Sequence, residues 1–461
     1  MKKYLKLSHI LFFTLAICLT FWAIVAIPSI QAKPAFWDVK RNFTHLSGIL
    51  TIVFMSLVVI LAWKKRWAEQ KFGGLDKVYF VHKWLGISAG IFLVMHWIST
   101  QGLKLLAKYT TLLPARPPKP PKDPSVVQSL YEQLHGPAHV IGEYAGYAMA
   151  ILIIIALMKK TFSYKTFRLS HKFFGVIFIA GALHSIYFLP QIYFDILFGF
   201  LVFAVAIIAV FPAVASIYGN IGKENRSEAK IKQYKFYADD KINEIVIEAP
   251  KWKGHRSGQF LFIRQKGDLT EGGHPFTIAS FWNDKQKILR LGIKSLGDFT
   301  ANENLKNVFA AGKSVKIEGP YGDFVFADNF AEQQQIWIAT GIGMTPFVAR
   351  LEELAAKNIQ VNKKILFYFL TPKFSENAEN SFAYKLKNLC QQTGVDLQIL
   401  QDSQNQYFKA EMLAETLNKN KNSQIYFCGV FKLGESIENY LRQNGFAQIA
   451  ETMQREKFEF R

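Results

Sequence analysis

The chain has 461 residues and a formal net charge of +20, and half of its residues are hydrophobic. That apolar content excludes intrinsic disorder, and three cysteines (Cys18, Cys390, Cys428) exclude a disulfide framework or a thiolate metal cluster. At roughly 150 residues per domain, about three units are expected. The composition is split: residues 1–215 are mostly apolar, whereas 222–461 have the mixture of an ordinary soluble enzyme.

Long apolar runs occur at about 7–30, 46–63, 78–100, 138–158, 171–189 and 192–215. Roughly 20 apolar residues cross a bilayer core, so six spans are predicted, the last two forming a tight hairpin around Pro190. The segments KKRWAEQKFGGLDK after span two and KKTFSYKTFRLSHK after span four are densely basic, as is the N-terminus. By the positive-inside rule these face the cytoplasm. The position of the charge therefore points to basic loops on a lipid bilayer and away from nucleic acid. The predicted protein is multi-pass in the plasma (inner) membrane, with both termini cytoplasmic. Region 101–137 lies outside; it is less densely basic, and its PARPPKPPKDP stretch is stiff. The N-terminal run resembles a signal peptide, but it exceeds the usual 7–15 apolar residues and is read as a retained span.

Ionisable residues at membrane depth are costly and mark function. Span three holds His82 and His96; span five holds His171 and His184. Fourteen residues of helix rise about 21 Å and complete nearly four turns, so His82 and His96 share a face at two depths. His171 then lies level with His82, and His184 with His96. Two cross-helix pairs of this kind can each ligate a haem iron, which predicts two stacked b-type haems; zinc prefers four compact ligands. In span five, thirteen residues leave the rings roughly 140° apart, so either that helix is irregular or the two haems are rotated. His45, His135, His139 and Glu143 lie near the outer ends of spans two and four. Arg41, just before span two, is an outer-face candidate that could meet a haem propionate or an anionic product.

After a linker at 218–227, KINEIVIEAP, GQFLFIRQ, ILRLGIKSL and GKSVKIEGP read as short strands of an antiparallel barrel over 224–330. From 334 the rhythm is strand, loop, helix, which predicts a parallel doubly wound sheet over 331–461. Three motifs carry chemistry. His274-Pro275-Phe276-Thr277-Ile278-Ala279-Ser280 follows a Gly-Gly turn on a barrel strand. In IKSLGDFT (293–300), Gly297 lets the backbone approach a pyrophosphate and Thr300 adds a hydroxyl. Gly341-Ile342-Gly343-Met344-Thr345-Pro346 stands between a strand and a helix, the context a nucleotide pyrophosphate needs. Cys428-Gly429 closes the last core strand, at the edge where such sheets bind ligands.

In this order, the histidine pairs, HPFTIAS, IKSLGDFT, EGPYG (318–322), GIGMTP, the Cys-Gly pair and the terminal KFEFR resemble the NADPH oxidase and ferric reductase superfamily over nearly the whole chain. The resemblance implies three parts: a six-helix haem domain (1–217), a ferredoxin-reductase-like FAD barrel (224–330) and an α/β NAD(P)H-binding domain (331–461). It implies FAD contacts at His274, Pro275, Phe276, Thr277, Ser280, Lys294, Gly297 and Thr300, with Phe458 or Phe460 covering the flavin ring. It implies NAD(P)H contacts at Gly341, Gly343, Met344, Thr345, Pro346, Cys428 and Gly429. The chain looks like a compact bacterial member that needs no obligatory protein partner.

The expected activity follows from that architecture. Electrons pass from cytoplasmic NAD(P)H, with FAD and two b-type haems as cofactors, to an outer acceptor. O2 giving superoxide is the first expectation; a ferric chelate or a periplasmic protein partner is the alternative. A flavin enzyme without haem is a third reading. No acid–base residue is required. At the end of the second lobe strand, Lys373 is the nearest cation and no acidic residue stands there, so either NADPH or NADH is expected to serve.

Overall fold

The structure is a computed structural model that describes residues 7–32, 35–114, 126–158, 164–265, 273–295, 302–329, 332–377 and 379–455. The chain divides into two compact units, one within residues 1–222 and one formed by 223–460 with a short piece at 74–76.

The first unit contains six helices long and apolar enough to cross a membrane. In α1 (Leu7–Ala32) and α2 (Phe36–Leu61) the backbone satisfies its own polar groups, the condition for crossing lipid. Helix α2 begins about ten residues earlier than its apolar run. Arg41 therefore lies inside the helix, where it pairs with Asp38 at 2.7 Å. A one-loop helix, α3 (Arg66–Phe72), precedes α4 (Leu75–Trp97). The third span then runs through a π-helical turn, Ile98–Gly102, into α5 (Leu103–Tyr109). The Ser99 and Thr100 hydroxyls both donate to the His96 carbonyl, at 2.9 and 2.8 Å. They compete with the helical N–H for that acceptor, and a register change is one way to accommodate both.

Next come α6 (Val126–Leu157) and α7 (Tyr164–Phe188), the latter continuous over 25 residues. Beyond Pro190, α8 (Gln191–Asp195) fills the expected hairpin, and Leu197 enters α9 (Phe198–Ile217) in a left-handed conformation. Small residues let the last helices close. A β-carbon on Gly175 would lie 2.7 Å from the Ala213 carbonyl oxygen, and Ala206, Ala209 and Ala213 are buried along α9. Phe12, Ile91, Ile154, Leu183, Phe200 and Phe211 stay exposed, as residues that face lipid do.

The second unit opens with an antiparallel sheet of β1 (Arg226–Tyr237), β2 (Ile242–Glu248), β3 (Phe260–Gln265), β4 (His274–Thr277), β5 (Ile288–Lys294) and, after α10 (Asn302–Val308), β6 (Ser314–Tyr321). The order is β4-β3-β6-β1-β2-β5. An antiparallel bridge between Ile278 and Leu291, with Ala279 donating to the Arg290 carbonyl at 2.8 Å, joins the two ends into a barrel. Its interior is filled by Ile245, Ile247, Leu261, Ile263, Leu289, Leu291, Ile293 and Ile317. The first strand, which overlaps the expected linker only at 226–227, is one that the strand pattern did not mark. The pairing register shifts between Ile231 and Gln233, which interrupts the alternation a strand needs to be recognised.

The lobe is a parallel sheet of order β11-β10-β7-β8-β9, built from β7 (Gln335–Thr340), α11 (Thr345–Ala356), β8 (Ile365–Thr371), α12 (Phe382–Thr393), β9 (Asp396–Gln401), α13 (Met412–Lys419), β10 (Gln424–Cys428), α14 (Phe431–Gln443), α15 (Ala447–Thr452) and β11 (Gln454–Arg455). The chain runs from β7 outward to β9 and then returns to the other flank of β7. The carboxyl ends of β7 and β10 therefore form the switch point where doubly wound sheets bind ligands.

Candidate functional site

In the membrane unit the four histidines meet in two pairs. The rings of His82 and His171 have centroids 6.0 Å apart, and those of His96 and His184 6.4 Å. Because α7 is continuous, the irregular-helix alternative is not needed. Three of the rings are fixed from behind. His82 Nδ1 donates to the Val58 carbonyl at 2.9 Å, His96 Nδ1 to Thr44 at 3.2 Å and His184 Nδ1 to Ala138 at 2.9 Å. Each donation commits the proton to Nδ1 and leaves Nε2 as the lone-pair nitrogen. His171 Nδ1 is buried with no hydrogen-bond partner among the described residues.

Glycine gives the outer pair its room. A β-carbon on Gly142 would fall 2.0 Å from His184 Nδ1, and one on Gly48 would fall 3.2 Å from the His96 ring. A cavity of about 270 Å³ opens here, lined by His96, His184, His45, Met55, Met149 and Phe178. At one side the wall turns polar. Lys104 Nζ lies 3.4 Å from His139 Nε2, the other nitrogen of His139 is 3.7 Å from Glu143, and Tyr147 donates to Glu143 at 3.1 Å. Arg41 is not part of this wall. His135 stacks edge-on against Tyr187 and Phe188, and does not join His139. Gly48 and Gly142 were not singled out from sequence; small residues level with buried histidines are the signal that marks them.

In the barrel, HPFT forms β4, paired with β3 so that Thr277 stands opposite Phe260 and His274 opposite Ile263. The His274 and Phe276 rings lie on one face, 6.5 Å apart and near parallel. Thr277 is almost buried, and Ser280 is buried. The Ser280 hydroxyl accepts from the Arg290 amide at 3.0 Å, and its carbonyl accepts from His255 Nε2 at 2.8 Å, so its side chain ties β5 to the motif. Beside it, the buried Glu318 of EGPYG receives Arg226 at 2.8 Å, Arg264 at 3.0 Å and the Tyr321 hydroxyl at 3.2 Å. This cluster was not read from sequence, because its members come from three strands. Gly297, Thr300, Phe458 and Phe460 lie outside the described residues.

At the lobe's switch point the backbone itself makes the cradle. Gly341 has φ +51°, the left-handed region that favours glycine. A β-carbon on Gly343 would lie 2.2 Å from the Cys428 carbonyl oxygen, and one on Gly429 2.1 Å from Thr340 Oγ1. Thr340 Oγ1 in turn accepts from the Val430 amide at 3.0 Å. Met344, Thr345 and Pro346 are buried at the start of α11; the Thr345 amide donates to the Ile342 carbonyl, and Pro346 sits in the first turn, where its missing N–H costs nothing. All seven residues expected to hold the nicotinamide nucleotide thus converge on one sheet edge.

Comparison with known proteins supplies the ancestry. Residues 47–182 match the family model for the ferric reductase like transmembrane component, and residues 225–325 match that for an FAD-binding domain. The chain belongs to the NADPH oxidase and ferric reductase superfamily. It is a multi-pass membrane protein of this oxidoreductase superfamily with an FAD-binding barrel. Curated relatives include ferric reduction oxidase 8 of Arabidopsis thaliana (29% identical over 165 residues, 33% of this chain and 22% of the relative). NADPH oxidase 1 of Rattus norvegicus is 30% identical over 122 residues, 24% of this chain and 21% of the relative. A probable cell surface ferric reductase, kap2, of Aspergillus oryzae is 27% identical over 249 residues, 50% and 32%. The aligned parts thus span no more than about a third of these relatives' own length. Among solved structures, flavohemoglobin from Malassezia yamatoensis is similar at a TM-score of 0.45 and 15% identity over 94% of this chain and 98% of that one.

The superfamily implies haem, and the histidine pairs fit it. Imidazole–metal bonds are about 2 Å long, which sets two rings on opposite sides of one metal roughly 6 Å apart; both pairs have that separation. Nδ1 donation to a carbonyl is the usual support of a metal-bound histidine, and Gly48 and Gly142 keep the outer pair free of crowding.

Proposed function

We propose that this protein carries electrons across the plasma (inner) membrane, from NAD(P)H on the cytoplasmic side to an acceptor on the outer face. O2, giving superoxide, is the acceptor we favour, and a ferric chelate is the second reading. The observation that carries the proposal is the pairing of four histidines at two levels of an apolar bundle, in a chain whose second unit holds an FAD barrel and a nucleotide cradle.

Three functional parts are proposed, at 1–217, 224–330 and 331–461. Gly341, Gly343 and Gly429 bring bare backbone to the nucleotide, with Cys428 and Met344–Pro346 around it. His274, Pro275, Phe276 and Thr277 line the flavin side of the barrel; Gly297, Thr300, Phe458 and Phe460 are assigned there on the resemblance alone. His82 with His171, and His96 with His184, would hold two b-type haems. Flavin accepts electrons in pairs and releases them singly, and haem carries one at a time. The protein's part is to bind, space and shield; no side chain is asked to shuttle a proton. If both histidines of a pair held the metal, an acceptor would take its electron without binding there, which would suit O2 and a ferric chelate equally. The basic segments after spans two and four support cytoplasmic termini.

The test is a reduced-minus-oxidised spectrum of detergent-purified protein given FAD and NADPH, or NADH. A haem Soret band that shifts on adding the nucleotide is expected, and its absence would leave only a flavin enzyme. Superoxide formation without added iron, set against reduction of ferric citrate without O2, separates the two acceptors. Full activity of the isolated chain dismisses an obligatory protein partner.

A further inference from the structure

Helix α11 is seated on the barrel along strand β5. Strand alternation sends Leu289, Leu291 and Ile293 into the barrel core and turns Arg290 and Gly292 outward. Seven residues, two turns of helix, separate Thr345 from Glu352, so both lie on one face of α11, about 10 Å apart. Thr345 rests against Gly292, where a β-carbon would lie 2.9 Å from its Cγ2. Glu352 ion-pairs with Arg290. The helix that begins at the glycine turn therefore meets one barrel strand at two points.

Glu352 does more than pair. Its Oε2 takes Arg290 and the backbone amide of Phe281, the latter at 3.2 Å, while Oε1 takes Lys385 Nζ of α12 at 2.9 Å. Phe281 directly follows HPFTIAS, and the Arg290 backbone is bonded to the same motif. Its amide donates to Ser280 Oγ at 3.0 Å, and its carbonyl accepts from the Ala279 amide at 2.8 Å. One carboxylate thus joins the end of that motif, the strand that braces it and two helices of the lobe. Glu353, its neighbour, takes Ser257 Oγ of the barrel at 2.8 Å, but its remaining partners, Arg350 and Lys357, stand on its own helix. Neutralising charge does not require Glu352, since Lys385 and Arg290 also meet Glu244, at 3.4 and 3.7 Å. What Glu352 adds is a fixed separation between α11 and the motif.

We propose that Glu352 is a positioning residue for flavin reduction. By tying α11 to the end of HPFTIAS, it sets the distance between a nucleotide held at the Gly341–Gly343 turn and a flavin held by the barrel. The inference rests on the reading that NAD(P)H is the donor. In that step the nicotinamide C4–H bond breaks, the hydrogen leaves with its electron pair, and the flavin N5–H bond forms; the nucleotide is oxidised and the flavin reduced. Such a transfer needs its reacting atoms about 3–3.5 Å apart, and a misplacement of about 1 Å costs roughly a hundredfold. Glu352 acts through the helix and the motif, not on the reacting atoms.

The test uses the full-length protein in detergent, loaded with FAD, and separates reach from charge. Glu352→Asp keeps the charge but is one methylene short; Glu352→Gln keeps the reach, with an oxygen for the Phe281 amide, but not the charge. FAD content and Tm are measured first. The anaerobic rate of flavin reduction is then followed against NADPH and NADH concentration, with the long-wavelength charge-transfer absorbance of the reduced flavin beside NADP+. Glu352→Asp should lower the limiting rate per bound FAD about tenfold or more and weaken the charge-transfer band. The Kd for either nucleotide should stay within about twofold, because the cradle is unaltered. Glu352→Gln should keep most of the limiting rate and of the band. A wild-type limiting rate in Glu352→Asp would overturn the proposal. So would a loss in Glu352→Gln as large as in Glu352→Asp, which would make charge the cause, or a raised Kd with the limiting rate kept, which would place Glu352 in nucleotide binding. Failure of both nucleotides to reduce wild-type flavin would remove the donor reading itself, and this inference with it.

Discussion

In the function proposed above, the two units place their chemistry in opposite ways. In the membrane unit it rests on four side chains of a type that apolar helices otherwise avoid, and the backbone's part is to supply three carbonyls and two glycines around them. In the soluble unit it rests on backbone: a glycine turn, a strand end and a Cys-Gly pair, with most polar side chains spent on holding strands together. The contrast follows from solvent. A helix in lipid satisfies its own amides, so it can offer a ligand only through side chains. An open α/β sheet leaves amides free at its carboxyl edge, so it needs glycine there more than any functional group.

The comparison predicts its own largest effect. Replacing a paired histidine, His171→Ala or His184→Ala, should abolish reduction of the outer acceptor to background while NAD(P)H still reduces the flavin. Stopped-flow spectra of the flavin and of the haem proposed for the pairs read both at once. A variant that keeps acceptor reduction would show that the pairs are structural. The supporting glycine is the next test. Gly142→Ala puts a β-carbon 2.0 Å from His184 Nδ1, against 3.2 Å at His96 for Gly48→Ala. The first change should cost the outer haem and halve the haem content. The second should be tolerated with a small shift, because a few tenths of an ångström relieve it. Equal haem content in the two variants would break the argument that glycine makes room for the pair.

For the backbone-built site the expected losses are smaller and fall on affinity. Gly343→Ala must displace the Cys428 carbonyl from 2.2 Å, opening the cradle. The Kd for NADPH, read from flavin reduction, should rise about tenfold or more, with FAD retained and the haem spectrum unchanged. A change in the haem spectrum instead would mean that the turn acts through global stability.

Legibility in the sequence follows the same division. His82, His96, His171 and His184 stand out because an apolar helix has few other ionisable residues, and their pairing needed only helical rise. The lobe was readable because strand–glycine turn–helix is local in sequence. Arg226, Arg264 and Glu318 were not, since three strands must pair before they meet. Strand β1 was missed because a bulge breaks its alternation. Arg41 illustrates a boundary error with consequences. The apolar run marks where lipid begins, while α2 extends into the polar region and lets Asp38 take the arginine.

The smallest effect concerns the scaffold under the flavin motif. His255 donates through Nε2 to the Ser280 carbonyl at 2.8 Å and accepts at Nδ1 from the Trp252 indole at 3.3 Å. Both bonds require the neutral ring, and protonating Nδ1 would set donor against donor. Burial, only partly opposed by the Ser280 carbonyl and Glu353, pushes its pKa down to about 4 from an ordinary 6.5. The unfolded chain therefore binds the proton first. The stabilisation is complete above pH 6.5 and is lost as pH falls through about 4. Linkage puts the loss at about 2 kcal/mol by pH 5. For a unit of this size that corresponds to roughly 4–8 °C in Tm. Thermal release of FAD from the full chain at pH 7 and pH 5 measures it. His255→Gln should lower stability at pH 7 but shrink the difference between the two pH values by about that amount. An unchanged difference would mean that other groups set the acid limb, and that the HPFTIAS support is indifferent to this imidazole's charge.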